Sequence, residues 1–156
     1  MSGTHGMLFR QKWAFVIGYD EYSRPDNKLN TSMKNANKLT TLLKKSKFKF
    51  MKPKEDSTDI MEQVQEFTRK IEDGDLILFY FSGHGYQLEG KNYLIPTDDS
   101  RIDKSNDVID LGTSITSIVK RLLSDKPSCM AIVILDCCRP YVIENRTEPN
   151  RKWFLT

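Results

Sequence analysis

Apolar residues fall along this chain in two rhythms. Short continuous runs, closed by glycine or a polar residue, alternate with stretches in which apolar positions return every three or four residues. The run Trp13-Ala-Phe-Val-Ile-Gly18 is of the first kind, the pattern of a strand buried on both faces. From about Thr31 to Ser46, residues Met33, Ala36, Leu39, Leu42 and Leu43 recur at helical spacing, which predicts an amphipathic helix. Phe48-Lys-Phe-Met51 reads as a second strand, closed by Pro53 because proline has no N–H to donate to a ladder. Asp59 and Glu62 are spaced as an acidic capping box ahead of Ile60, Val64, Phe67 and Ile71 on one helical face, and Gly74 closes that helix.

Leu76-Ile-Leu-Phe-Tyr-Phe81 is a third buried strand, and it runs directly into Ser82-Gly-His-Gly85. Glycine on each side of His84 predicts a tight loop that exposes the ring. Tyr86 to Pro96 reads as a hairpin turning near Glu89 to Asn92. Thr113 is placed to cap a helix carrying Ile115, Ile118, Val119, Leu122 and Leu123. Ala131-Ile-Val-Ile-Leu135 is a fourth buried strand, ending at Asp136-Cys-Cys-Arg139. Strands alternating with helices imply a parallel sheet with right-handed crossovers, so the fold class is α/β. The tail from Pro140 to Thr156 is polar, holds two prolines and predicts no element.

Composition narrows the function classes. A chain of 156 residues, 38% hydrophobic and 29% charged, is sized for one domain. A net charge of +3 from 24 basic and 21 acidic residues is too mild and too mixed for a nucleic-acid binder, whose surface carries a basic stripe. Lys44, Lys45 and Lys47 read as a solvated helix end. No apolar run approaches the roughly 20 residues needed to cross a bilayer, and Met1 to Gln11 lacks the apolar stretch of a secretory signal. The expectation is a cytoplasmic protein with no membrane partner. Cys129, Cys137 and Cys138 are odd in number and lack the spacing of a disulfide framework or zinc site, which predicts free thiols.

In open α/β sheets the ligand crevice lies beyond the carboxyl ends of the strands, and His84 and Cys138 each sit just past such an end. A thiol becomes a good nucleophile at neutral pH when a base within hydrogen-bond reach favours the thiolate. His84 is the candidate base, since His5, the other histidine, lies in a glycine-flanked N-terminal segment. Taken singly, a cysteine at a strand end is ordinarily a small buried hydrophobe and a lone histidine a satisfied polar residue. Their matched positions favour chemistry. Backbone N–H groups of Gly85 and Cys138 are candidate donors to a tetrahedral oxyanion. A flavodoxin-like nucleotide module is disfavoured, because no phosphate loop stands between any strand and helix.

These residues resemble a family. Phe79-Tyr-Phe-Ser-Gly-His-Gly-Tyr86 is similar to the histidine motif of caspase-like cysteine peptidases, and Ile134-Leu-Asp-Cys-Cys-Arg139 to their nucleophile motif. Caspases carry the histidine about 50 residues before the cysteine, so the 54 positions separating His84 from Cys138 agree with that pattern rather than adding to it. The wording is most similar to the paracaspase and metacaspase branches, where the nucleophile stands two residues after the aspartate; that register selects Cys138 over Cys137.

The resemblance spans about Lys12 to Tyr141 and implies the large-subunit part of a three-layer α/β/α sandwich with a mostly parallel sheet. The domain is expected over residues 12–141, with flexible tails at 1–11 and 142–156. The implied activity is an endopeptidase with a Cys138–His84 dyad and neither a catalytic metal nor an organic cofactor. Some metacaspases need calcium, but the pair Asp98-Asp99 reads as solvated turn residues. Asp136 is implied to bind a basic side chain at the substrate's P1 position, together with an acid early in the first helix. Asn35 stands where that acid is expected, which removes part of the Coulombic attraction for a guanidinium. Asn35 is thus either a pocket residue or a polar residue of the helix face.

Family members continue with small-subunit strands that complete the sheet. Without them the fourth strand is expected to be an exposed edge beside uncovered apolar surface. The chain then reads as a truncated product, a fragment, or a half completed by a caspase-like partner or by dimerisation. The rival to a peptidase acting on a protein or peptide substrate is a caspase-like scaffold that binds a full-length relative.

Overall fold

The computed structural model describes residues 9–54 and 58–137. In chain order the elements are β1 (Lys12–Gly18), a short 3-10 turn (Pro25–Asn27), α1 (Ser32–Lys45), β2 (Lys49–Met51) and α2 (Ile60–Thr68). They continue with β3 (Leu76–Ser82), β4 (Gly85–Leu88), β5 (Lys91–Leu94), α3 (Ser105–Leu111), β6 (Thr113–Ser114), α4 (Ile115–Leu123) and β7 (Met130–Asp136). The four apolar runs form one sheet in the order β2-β1-β3-β7, with every neighbouring pair parallel. A small antiparallel sheet, β4-β5-β6, stands beside it.

Because side chains alternate along a strand, each apolar run supplies two layers at once. Phe15, Ile17, Ile77, Phe79 and Phe81 pack on one face with Ile60, Val64 and Phe67 of α2 and Ile118 and Leu122 of α4. The Phe15 and Phe67 rings stack at 5.2 Å. Ala14, Val16, Leu78 and Tyr80 face the other way, onto Ala36 and Leu43 of α1. The result is the expected three-layer α/β/α arrangement around a parallel sheet.

Helix starts follow local chemistry. Asp59 accepts the Glu62 N–H at 2.9 Å, the predicted cap of α2. Thr31 offers no side-chain cap to α1; Asp20, in the loop after β1, accepts the N–H groups of Ser32 at 2.8 Å and Met33 at 3.2 Å instead. Gly18 is required at that crossing, since a Cβ there would come within 2.8 Å of the Ala36 Cβ.

Several expectations need correction. Met33 and Leu42 keep helical spacing but are 49% and 59% exposed, because α1 lies across β1 and β3 and only a narrow stripe of it meets the sheet. Helix α2 stops at Thr68, so Ile71 is buried in the turn that follows rather than on the helix. Ser114, not Thr113, caps α4, its Oγ accepting the Ser117 N–H at 3.1 Å while Thr113 joins β6. Helix α3 and strand β6 had no counterpart in the hydrophobic pattern. The fourth strand is half exposed rather than buried: Met130, Ile132 and Ile134 of β7 are each about two-fifths exposed. The expected domain end at 141 and the tail 142–156 lie outside the described residues. No helix among the described residues is long and apolar enough to cross a membrane.

Candidate active site

Strands β3 and β7 pair in parallel with Ser82 opposite Asp136. His84 stands two residues past Ser82, and Cys138 two residues past Asp136. Cys138 lies outside the described residues; Cys137 is the last of them. The two chain ends converge at Gly85, where an added Cβ would fall 3.1 Å from the Cys137 Sγ. A side chain there would need the thiol to give by a few tenths of an ångström, and no left-handed turn is involved. The demand is stricter at Gly83, where a Cβ would meet the Tyr22 hydroxyl at 2.7 Å.

The imidazole is not exposed, as the flanking glycines had suggested, but 4% exposed. Tyr22 and Asn27, from the loop after β1, close over it. The His84 backbone N–H donates to the Tyr22 hydroxyl at 2.8 Å, and the two rings meet edge-on with centroids 4.6 Å apart. Burial pushes the Tyr22 phenol pKa upward, so the hydroxyl stays neutral. His84 Nε2 lies 2.7 Å from the Asn27 carbonyl oxygen. A carbonyl only accepts, so Nε2 carries the proton and Nδ1 is the basic nitrogen. On the hairpin side the Ile95 N–H donates to the His84 carbonyl at 3.0 Å. Gly85 then faces Leu94 as the next pair, and ladder alternation turns its N–H away from β5.

Asp136 forms a second cluster on the α1 side of the sheet. Its Oδ2 accepts the Tyr80 hydroxyl at 2.8 Å, the Asn35 amide at 3.1 Å and the Ser82 hydroxyl at 3.3 Å. The two substrate-pocket candidates, Asn35 and Asp136, are therefore in direct contact across 101 positions of sequence. A separate cleft of about 640 Å³ opens at the carboxyl ends of β1 and β2, walled by α1 and Lys52–Lys54. None of His84, Asn35 or Asp136 lines it. Among the described residues no three His, Cys, Asp or Glu side chains are grouped to hold a metal ion.

The caspase domain family matches residues 11–152 of this sequence. The chain belongs to the caspase domain family. Mucosa-associated lymphoid tissue lymphoma translocation protein 1 of Homo sapiens is 28% identical over 137 residues, 87% of this chain and 16% of that protein. Its Mus musculus homolog is 27% identical over 133 residues, 85% of this chain and 15% of the homolog. The caspase-like chain thus spans about a sixth of the length of these curated relatives.

Within this caspase fold, sequence reasoning missed three residues around His84. Tyr22 and Asn27 were left in an undifferentiated polar loop, and Asp99 was read as solvated although it is fully buried. The available signal was positional: the Asp20–Asn27 loop leaves β1 at the same sheet edge as the His84 turn, and Tyr22 is an aromatic residue within a polar stretch.

Proposed function

We propose that this chain is the catalytic part of a cysteine endopeptidase that cuts after basic residues. The observation supporting it is the β3–β7 register, which pairs Ser82 with Asp136, the residues that stand two positions before His84 and Cys138 in the sequence. His84 Nδ1 takes the thiol proton, and the Cys138 thiolate attacks the peptide carbonyl carbon. As the tetrahedral intermediate collapses, the carbon–nitrogen bond breaks and the imidazolium returns the proton to the leaving amine. Water then attacks the thioester carbonyl and gives a proton to His84; the carbon–sulfur bond breaks, the acid product leaves, and the imidazolium returns the proton to the Cys138 thiolate. The N–H groups of Gly85 and Cys138 stabilise the oxyanion. Asp136, with Asn35 beside it, receives the P1 side chain, and neither a metal nor an organic cofactor takes part.

A second reading is a caspase-fold scaffold that binds a full-length relative, or a second copy, along β7. The exposed apolar face of β7 favours it.

The test is labelling with a peptidyl electrophile bearing P1 arginine, compared with its P1 aspartate counterpart and read by intact mass. Arginine-dependent labelling is expected that is absent in Cys138→Ala, retained in Cys137→Ala, and slowed by about a thousandfold or more in His84→Ala. No labelling of the chain alone, with binding to a full-length relative that alters the relative's activity, would replace the peptidase reading with the scaffold.

A further inference from the structure

Asp99 follows β5 in the loop leading to α3, and its side chain is fully buried. Its Oδ1 accepts the Arg24 N–H at 2.9 Å, and its Oδ2 accepts the Asn27 side-chain amide at 2.6 Å. Arg24 grips the same segment in return: Nε donates to the Asp99 carbonyl at 3.1 Å, and Nη2 donates to the Ser100 carbonyl at 3.2 Å and to the Asp103 carboxylate. The Ser23 N–H donates to the Thr97 carbonyl at 2.9 Å. The loop after β1 is thus tied to the loop after β5 over a few residues, with a buried carboxylate at the centre.

Asn27 faces two ways. Its amide is held by Asp99, while its carbonyl oxygen holds the His84 Nε2–H. Burying a carboxylate is costly unless hydrogen bonds compensate, and a neutral acceptor would tie two loops at lower cost. What an ionised acceptor adds is a short, charge-assisted bond to the amide, which restricts how Asn27 can turn. A fixed Asn27 means a fixed carbonyl, and a fixed carbonyl selects the Nε2–H tautomer. We propose that Asp99 is a positioning residue for the His84 imidazole, acting through Asn27 to keep Nδ1 as its basic nitrogen. The catalytic consequence rests on the peptidase reading above; the control of tautomer does not.

The experiment uses the full chain, labelled with 15N, and reads imidazole tautomers by long-range proton–nitrogen correlation above the histidine titration. The chain has two histidines, so a His5→Gln variant assigns the His84 signals. The unaltered chain is expected to give Nε2–H alone. Asp99→Asn and Asn27→Ala are each expected to give mixed or exchange-broadened tautomers, and the double variant to be no worse than the worse single one, because both cut the same link. With P1-arginine substrate, both are expected to lower kcat by about ten- to a hundredfold while KM moves little, since a small misplacement of a reacting group is felt mainly in the chemical step. Asn27→Ala keeps the backbone carbonyl and the Asp99 charge, so it tests the link even where Asp99→Asn does not fold. An unchanged Nε2–H tautomer in a folded Asn27→Ala variant, or strictly additive effects, would overturn the proposal. Tautomer control without any substrate cleavage would uphold it while removing the peptidase reading.

Discussion

Strands β3 and β7 are neighbours in one sheet, each seven residues long and each written almost wholly in apolar residues. Their surroundings differ. β3 lies between β1 and β7, under α1 on one face and the α2–α4 layer on the other, and is buried from Ile77 to Ser82. β7 has β3 as its one partner among the described residues. Its Ala131 and Val133 reach the α2–α4 core, whereas Ile132 and Ile134 point to the α1 side of the sheet, where α1 lies over β1 and β3 and leaves them about two-fifths exposed. An apolar run therefore specifies a strand but not its rank within a sheet. The contrast extends to chemistry: the histidine follows the enclosed strand, and the proposed nucleophile follows the strand with a single partner among the described residues.

The sharpest way to break this contrast is by truncation on each strand. Phe79→Ala removes a fully buried ring from the α2–α4 core and is expected to cost about 3 to 5 kcal/mol in unfolding by denaturant. Ile132→Ala removes a side chain that is 41% exposed, and about 1 kcal/mol is expected. Equal costs would mean that the outer face of β7 is covered in solution. Dependence of the Ile132→Ala cost on protein concentration would then identify a second copy as the cover.

A smaller effect is expected where the two strands share a cluster. Asn35 donates to Asp136 beside the Tyr80 and Ser82 hydroxyls, so these three uncharged donors meet at one carboxylate. Asn35→Asp would exchange a donor for a second negative charge at about the same distance. The free protein should then melt at lower temperature, because two close carboxylates repel. A guanidinium relieves that repulsion, so kcat/KM for P1 arginine over P1 glutamine is expected to rise about tenfold. A lower melting temperature with an unchanged ratio would remove Asn35 from the substrate pocket and leave it as a helix-face residue.

Legibility in the sequence tracked the range of the interaction. The parallel sheet, α1, α2, α4 and the β4–β5 hairpin were legible because each is specified within a short window by periodicity or turn chemistry. The hairpin turn at Glu89 and Gly90, with φ of 50° and 75°, is such a case. His84, Asp136 and Asn35 were legible as a motif set, and the last two do touch. The closure over His84 was not legible, since Tyr22, Asn27 and Asp99 act through hydrogen bonds spanning 57 to 72 positions and leave no local pattern. Helix α3 was missed for a related reason: its seven residues bury Val108 alone, too little for a helical period to register.

That same α3 offers the mildest test of how the two regions differ. Val108 packs into the cluster of Tyr22, Tyr86, Tyr93 and Ile95, so α3 supports the histidine side of the molecule and not β7. Asp107 fastens the start of α3, its Oδ2 accepting the N–H groups of Asp103 at 2.9 Å and Lys104 at 3.0 Å. The Asp103 bond above all, then the Lys104 bond and charge, holds the Asp107 pKa below its ordinary value of 3.8. A depressed carboxylate stabilises the fold fully above its unfolded pKa, and that contribution is lost as pH falls through the folded one. Acidification below about pH 4 should therefore lower amide-exchange protection in α3, once intrinsic rates are corrected, before β3 and β7 respond. Asp107→Asn should produce the same local loss at neutral pH. Simultaneous loss in α3 and β7 would mean that the two regions open as one unit, and the contrast between them would then be one of exposure without independent stability.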